Sequence, residues 1–124
     1  MTTQPTILIV EDDDDARELL LDWFATWHIQ AEAVADGETA LNTLQNGHYD
    51  GIIIDLGLPG LDGMSLLNRI RNQASSADMP CIAITAFHTN AVHHHSLEAG
   101  FDAYFSKPLN ENALHTTLNK ILGG

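Results

Sequence analysis

The sequence predicts an α/β domain in which a five-stranded parallel sheet is doubly wound, with helices on both faces. Three observations carry that expectation. Short apolar runs alternate five times with segments of helical periodicity. Turn and capping residues separate them at regular intervals. The 124 residues accommodate five strand–helix units but not an eight-stranded barrel. Right-handed crossovers then place the helices over either side of the sheet.

The first element, Thr6-Ile7-Leu8-Ile9-Val10, is a continuous β-branched and apolar run, as expected of a strand covered on both faces. It stops abruptly at Glu11-Asp12-Asp13-Asp14-Asp15. From Ala16 the pattern turns helical, with Leu19, Leu20, Trp23 and Trp27 at spacings of three and four, and the acidic run sits where the helix dipole favours negative charge. A second strand is expected near residues 32–34, followed by a helix over 37–46 behind an Asp36 cap. A third strand at 51–55 leads to a helix over 63–74 behind Asp62, and a fourth at 81–85 leads to a weaker helix over 91–99 closed by Gly100. The fifth strand, 103–106, precedes a helix over 111–122 capped by Asn110, whose Leu114, Leu118, Ile121 and Leu122 form one apolar stripe. No repeat, linker or change of composition interrupts the chain. A single domain over 1–124 is expected, with its core at about residues 6–122 and no further domain inside the chain.

Composition narrows the function. Five Lys and Arg face 17 Asp and Glu, a net charge of −12, so the chain repels polyphosphates and direct binding to nucleic acid is not expected. Hydrophobic residues make up 44% and charged residues 18%, which supports a packed core. The apolar runs fall far short of the ~18 residues of a membrane span. Met1-Thr2-Thr3-Gln4-Pro5 lacks the basic start and apolar block of a secretory signal, so a cytoplasmic location without membrane association is expected. The lone Cys81 stands in an apolar run, where a thiol behaves as a small buried hydrophobe. His93-His94-His95 cannot converge on one ion, because successive helical side chains point ~100° apart; they read as exposed helix surface or a partner contact.

Ligands of doubly wound sheets bind outside the carboxyl ends of the strands. Those ends carry Glu11, Asp12 and Asp13, then Asp55, then Thr85, with Lys107 just after the fifth strand. Carboxylates brought together in this way either take up protons or bind a divalent cation through oxygen, and Mg²⁺ is the natural candidate. Lys107 adds a compact positive charge and Thr85 a hydroxyl donor. A carboxylate in such company is equipped to become an aspartyl phosphate, since each neighbour can hold an oxygen of the transferring group. Two other chemistries fit less well. A phosphohydrolase with an aspartate nucleophile would place a second Asp two residues later, where this chain has Gly57, and a flavin phosphate would be repelled by the aspartates after the first strand.

At these residues the chain resembles the receiver domains of bacterial response regulators. The resemblance rests on Ile7-Leu8-Ile9-Val10-Glu11-Asp12-Asp13, on Asp55-Leu56-Gly57-Leu58-Pro59-Gly60-Leu61-Asp62-Gly63, on Ile84-Thr85-Ala86, and on Ala99-Gly100 leading to Tyr104-Phe105-Ser106-Lys107-Pro108. It implies a flavodoxin-like fold with strand order 2-1-3-4-5. It implies that Asp55 is the phosphoacceptor, that Asp12, Asp55 and the Gly57 carbonyl ligate Mg²⁺, and that Glu11 does so through water. Thr85 and Ala86 would bind the phosphoryl group with Lys107, the Lys107-Pro108 bond would be cis, and Tyr104 would be an aromatic switch that turns inward as Thr85 moves. The donor would be a histidine kinase or a histidine phosphotransfer protein, and the altered surface would bind an output partner that the sequence does not name. Such a domain accepts a phosphoryl group and is not a turnover enzyme. The alternative is an interaction module with the same fold that works without phosphorylation.

Further expectations follow from the same resemblance. In receivers the side chains two residues after the acceptor and two after the switch threonine border the approach of hydrolytic water. Here these are Gly57, which cannot orient a water, and Phe87, which is apolar, so slow loss of the phosphoryl group is expected. Glu98, Asp102 and Glu111 leave the face of the last two helices with few basic partners, which argues against a dimer built there from ion pairs. The Met1 start suggests a stand-alone protein, whereas Ala99-Gly100-Phe101-Asp102 is similar to receivers fused to kinases; both arrangements stay open.

Overall fold

The computed structural model describes residues 5–123, so Met1, Thr2, Thr3, Gln4 and Gly124 lie outside the described residues. The elements run β1 (Thr6–Val10), α1 (Asp14–Thr26), β2 (Gln30–Val34), α2 (Gly37–Gln45), β3 (Gly51–Asp55), α3 (Gly63–Arg71), a short 3-10 turn (Ala74–Ser76), β4 (Cys81–Thr85), α4 (Asn90–Ala99), β5 (Ala103–Ser106) and α5 (Glu111–Leu122). The strands form one parallel sheet in the order β2-β1-β3-β4-β5, the expected doubly wound topology.

Alternation along the central strands divides the core in two. Leu8, Val10, Ile52, Ile54 and Ala83 face Leu41 of α2, Leu66, Leu67 and Ile70 of α3, and Phe101. Ile7, Ile9, Ile53, Ile82 and Ile84 face Leu20 and Phe24 of α1 and Leu114 and Leu118 of α5. Both faces of β1, β3 and β4 are therefore covered, and this explains why their sequences show unbroken apolar runs rather than alternation.

Each α-helix starts at a side-chain cap. Asp13, Asp36, Asp62, Thr89 and Asn110 accept from the backbone N–H groups of Ala16, Thr39, Ser65, Val92 and Ala113. Asp13 is thus a helix cap, with Asp14 and Asp15 in the first turn behind it. The inner stripe of α1 is Leu20 and Phe24 with Trp23 and Trp27 half-buried; Leu19, expected within the stripe, is 48% exposed. Leu20 and Phe24 are four residues apart and share one face, and Leu19 lies one residue off that face.

Several boundaries differ from expectation, among them the first residues of α1, at Asp14 rather than Ala16, and the end of α2, at Gln45 rather than residue 46. β2 begins at Gln30, because Thr6 to Val10 of β1 pair in register with Gln30 to Val34, and the polar Gln30-Ala31-Glu32 start hides the strand from a hydrophobicity reading. α4 takes in Asn90 behind its Thr89 cap; as expected it ends at Ala99 and is closed by Gly100, whose φ of 118° lies in the left-handed region that glycine enters without strain. α3 ends at Arg71 rather than near residue 74. There the Arg71 guanidinium donates to the carbonyls of Ala77, Met79 and Gly100 and to the Asp102 carboxylate, which also accepts from the Cys81 N–H. Asp102, half-exposed, thus joins the clasp from its outer side. Cys81 is fully buried, and burial pushes its thiol up to about 12. Among the described residues no helix is long and apolar enough to cross a membrane.

Candidate functional site

Parallel pairing brings the ends of β1, β3, β4 and β5 to one edge of the sheet, and the polar residues that follow the apolar runs gather there. Glu11 is fully buried behind Val10, its N–H donating to the Val34 carbonyl at 3.0 Å. Its Oε2 accepts from the Asp13 N–H at 3.2 Å, and Arg17 donates to its backbone carbonyl at 2.9 Å. Asp12, the next residue, is exposed. Asp55 closes β3 and is 6% exposed. A Cβ at position 63 would lie 2.8 Å from the Asp55 carbonyl oxygen, so only glycine lets the start of α3 approach the end of β3 this closely.

One carboxylate oxygen from each of Glu11, Asp12 and Asp55 lies within 4.8 Å of the other two. Asp55 Oδ1 accepts from the Gly57 N–H at 2.8 Å, and Oδ2 accepts from Lys107 Nζ at 3.1 Å. Lys107 also donates to Glu11 Oε1. Its backbone is anchored by an N–H donated to the Thr85 carbonyl at 2.8 Å, and the Lys107-Pro108 bond is cis. Thr85 is buried, and its Oγ1 accepts from the Phe87 N–H at 3.0 Å. Ala86 follows it at the exposed start of the β4–α4 loop.

Burial pushes the Glu11 carboxyl up to about 7; the Lys107 hydrogen bond pulls it back, and nearby Asp55 adds to the rise. Burial works against the Lys107 ammonium too, but its hydrogen bond to Glu11 and the charge of Asp55 outweigh that cost and hold its pKa above the ordinary value. Lys107 pairs with Glu11 and Asp55 but not with Asp12, so the three neighbouring carboxylates leave an excess of negative charge in a small space. The donors are all hard oxygens, the set that suits Mg²⁺ rather than a soft metal.

Not every residue singled out from the sequence meets at this cluster. Tyr104 stands on β5, half-buried, opposite Ala83 of β4. Burial holds its phenol above the ordinary value. Its ring stacks on His93 of α4, centroids 4.4 Å apart and planes 9° apart, and its hydroxyl lies 2.9 Å from Nδ1 of His88. The histidine run therefore divides. His94 and His95 are exposed, with His94 paired to Glu98, whereas His93 is half-buried and faces the sheet. Sequence reasoning missed this division. The available signal was faint: His93 lies three residues before the buried Ser96 and so shares its face of the helix.

A family model described as "Response regulator receiver domain" matches residues 7–119. The sensor histidine kinase RcsC of Escherichia coli strain K12 is 34% identical over 112 residues, covering 90% of this chain and 12% of its own length. The two-component response regulator PhoP of Pseudomonas aeruginosa is 34% identical over 116 residues, 94% of this chain and 51% of its own. The chain thus spans about an eighth of the one relative and half of the other. The crystal structure of the receiver domain of sensor histidine kinase PA1611 from Pseudomonas aeruginosa, with a magnesium ion coordinated in its active-site cleft, superposes with a TM-score of 0.89 at 30% identity, covering 98% of this chain and all of that one.

Proposed function

The chain belongs to the response regulator receiver domain family, and on that basis we propose that Asp55 is its phosphoacceptor, loaded by the phosphohistidine of a histidine kinase or phosphotransfer protein. The observation that carries this reading is the placing of Asp55, buried at the end of β3 with Lys107 Nζ 3.1 Å from one oxygen and the Glu11 and Asp12 carboxylates within 4.8 Å. In the transfer, an Asp55 oxygen forms a bond to phosphorus as the bond to the donor imidazole nitrogen breaks, and the electron pair leaves with the imidazole. Lys107 is placed to neutralise a phosphoryl oxygen, and the Thr85 hydroxyl, at the end of the neighbouring strand, is the further donor. Asp12, Asp55 and the Gly57 carbonyl would hold Mg²⁺, with Glu11 acting through water. When bound, the ion supplies positive charge for the phosphoryl oxygens.

Beside the cluster, a groove of about 170 Å³ is lined by Ala16, Leu19, Leu20, Pro108 and Leu109, with Glu11 and Lys107 at its inner end. The exposed Leu19 gives a donor protein an apolar foothold next to the acceptor. Such a domain acts as a phosphorylated switch in the cytoplasm rather than as a turnover enzyme, and its output partner is a protein rather than nucleic acid, in keeping with the net charge of −12. Incubation with acetyl phosphate and Mg²⁺ tests the reading directly: intact mass should rise by one phosphoryl group, and an unchanged mass would overturn it.

Two further outcomes follow from the geometry. Asp12→Ala should weaken Mg²⁺ binding more than Glu11→Ala, since a direct ligand loses its bond whereas a water-mediated one is partly replaced. The Mg²⁺-dependent rise in melting temperature measures this, and equal losses would refute the ordering. Phosphoryl decay should be slow. A Cβ on residue 57 would lie 3.5 Å from Asp55 Oδ1 and 3.8 Å from the Phe87 ring, so both positions rim the approach to the acceptor, and neither offers a group to orient water. Although Phe87 is 78% exposed, its ring edge still borders that approach. Gly57→Asn and Phe87→Glu should each accelerate decay several-fold, and slower decay in either would contradict the account.

A further inference from the structure

The junction of α4 and β5 holds a cluster that phosphoryl transfer does not use. Tyr104 lies flat against His93, its hydroxyl is 2.9 Å from His88 Nδ1, and the two imidazoles are 6.1 Å apart with planes at 56°. The three side chains come from three elements: His88 from the β4–α4 loop, His93 from α4 and Tyr104 from β5. His88 is exposed and His93 half-buried, so the ring is held at the rim of the molecule and not by the core alone. The loop that carries His88 begins at Thr85, whose Oγ1 accepts from the Phe87 N–H one residue before His88. A displacement of Thr85 toward a phosphoryl group therefore pulls on the segment that bears the Tyr104 hydrogen bond.

We propose that His88 and His93 are positioning residues of the switch, clasping Tyr104 in the unphosphorylated arrangement so that the strength of the clasp sets how readily the α4–β5 face responds to phosphorylation. The proposal rests on the phosphoacceptor reading given above. Breaking the His88 hydrogen bond and the His93 stack is part of the work of switching, and a chain without them begins nearer the switched state. His88 holds the ring by its end and His93 by its face, so each contributes separately. Neither imidazole touches the reacting atoms.

The test titrates the full chain with beryllofluoride in Mg²⁺, a phosphoryl mimic, and follows the ring signals of Tyr104 by NMR, with Tyr49, the other tyrosine, as internal reference. His88→Ala and His93→Ala should each reach the switched Tyr104 signal at about fivefold lower beryllofluoride, the factor that corresponds to one net hydrogen bond or ring contact. His93→Phe, which keeps a flat partner, should return the midpoint toward that of the native chain. The exposed His88 makes its alanine variant safe to fold. Alanine midpoints equal to or above the native one, with the native response intact, would overturn the clasp and leave the phosphoacceptor reading standing. A native chain whose Tyr104 signal never responds would overturn both.

Discussion

Asp55→Asn should take up no phosphoryl group from acetyl phosphate in Mg²⁺ under conditions where the native chain gains one. The substitution is close to isosteric, and its carbonyl oxygen can still accept the Gly57 N–H that Asp55 Oδ1 accepts at 2.8 Å, so the fold survives while the nucleophilic oxygen pair is lost. The oxygen facing Lys107 Nζ at 3.1 Å becomes either a neutral acceptor or an amide donor turned toward an ammonium. In both cases the anion that should attack phosphorus is gone, and nucleophile removal costs on the order of a thousandfold or more in such reactions. Asp12 and Glu11 lie within 4.8 Å of the site, so they are the residues to which the modification would move if the assignment were wrong. Peptide mapping after intact-mass measurement separates these outcomes, and full modification of the Asn variant would sink it.

Arg71→Ala should be the most destabilising change to an arginine of this chain, with a loss of about 3 kcal/mol. The guanidinium, largely buried, donates to the carbonyls of Ala77, Met79 and Gly100 and so joins the end of α3, the approach to β4 and the turn into β5. Truncation removes the guanidinium donor from three backbone acceptors, of which the Met79 carbonyl keeps only the weak Cys81 thiol, and charge-assisted hydrogen bonds of this kind are the strong ones. The ion pair to Asp102, at 3.2 Å and half-exposed on the acid side, adds little by itself. Asp102 matters through its second bond, accepting the Cys81 N–H at 2.8 Å at the start of β4. Arg71→Lys should recover only a small part, because one ammonium cannot span carbonyls on three segments. Urea unfolding measures the change, and a loss below about 1 kcal/mol would refute the role assigned to the network.

What could be read without a structure was whatever a strand end makes visible. Val10 to Glu11, Ile54 to Asp55 and Ile84 to Thr85 are steps from apolar to polar that mark both the edge of the sheet and the site, and parallel topology then forces them together. The same logic failed for β2, an edge strand whose Gln30-Ala31-Glu32 carries no apolar run, so only its end was legible. It failed again at Arg71 and His93, whose partners are backbone carbonyls and a distant ring. Neither kind of partner leaves a spacing in the sequence. Leu19 was misplaced for a third reason: in the run Leu19-Leu20-Leu21 only Leu20 is buried, and periodicity alone does not say where the edge of the inner stripe falls.

Among the helices, α4 buries only Ser96, whereas α1 buries Leu20 and Phe24, α2 and α3 three and four residues, and α5 Leu114 and Leu118. Its free energy of local opening is correspondingly the smallest of the five, since lifting it from the sheet exposes little apolar surface to water. If Asp55 is the phosphoacceptor, as proposed, its modification can rearrange α4 without endangering the rest of the fold, because α4 is the helix least anchored in the core.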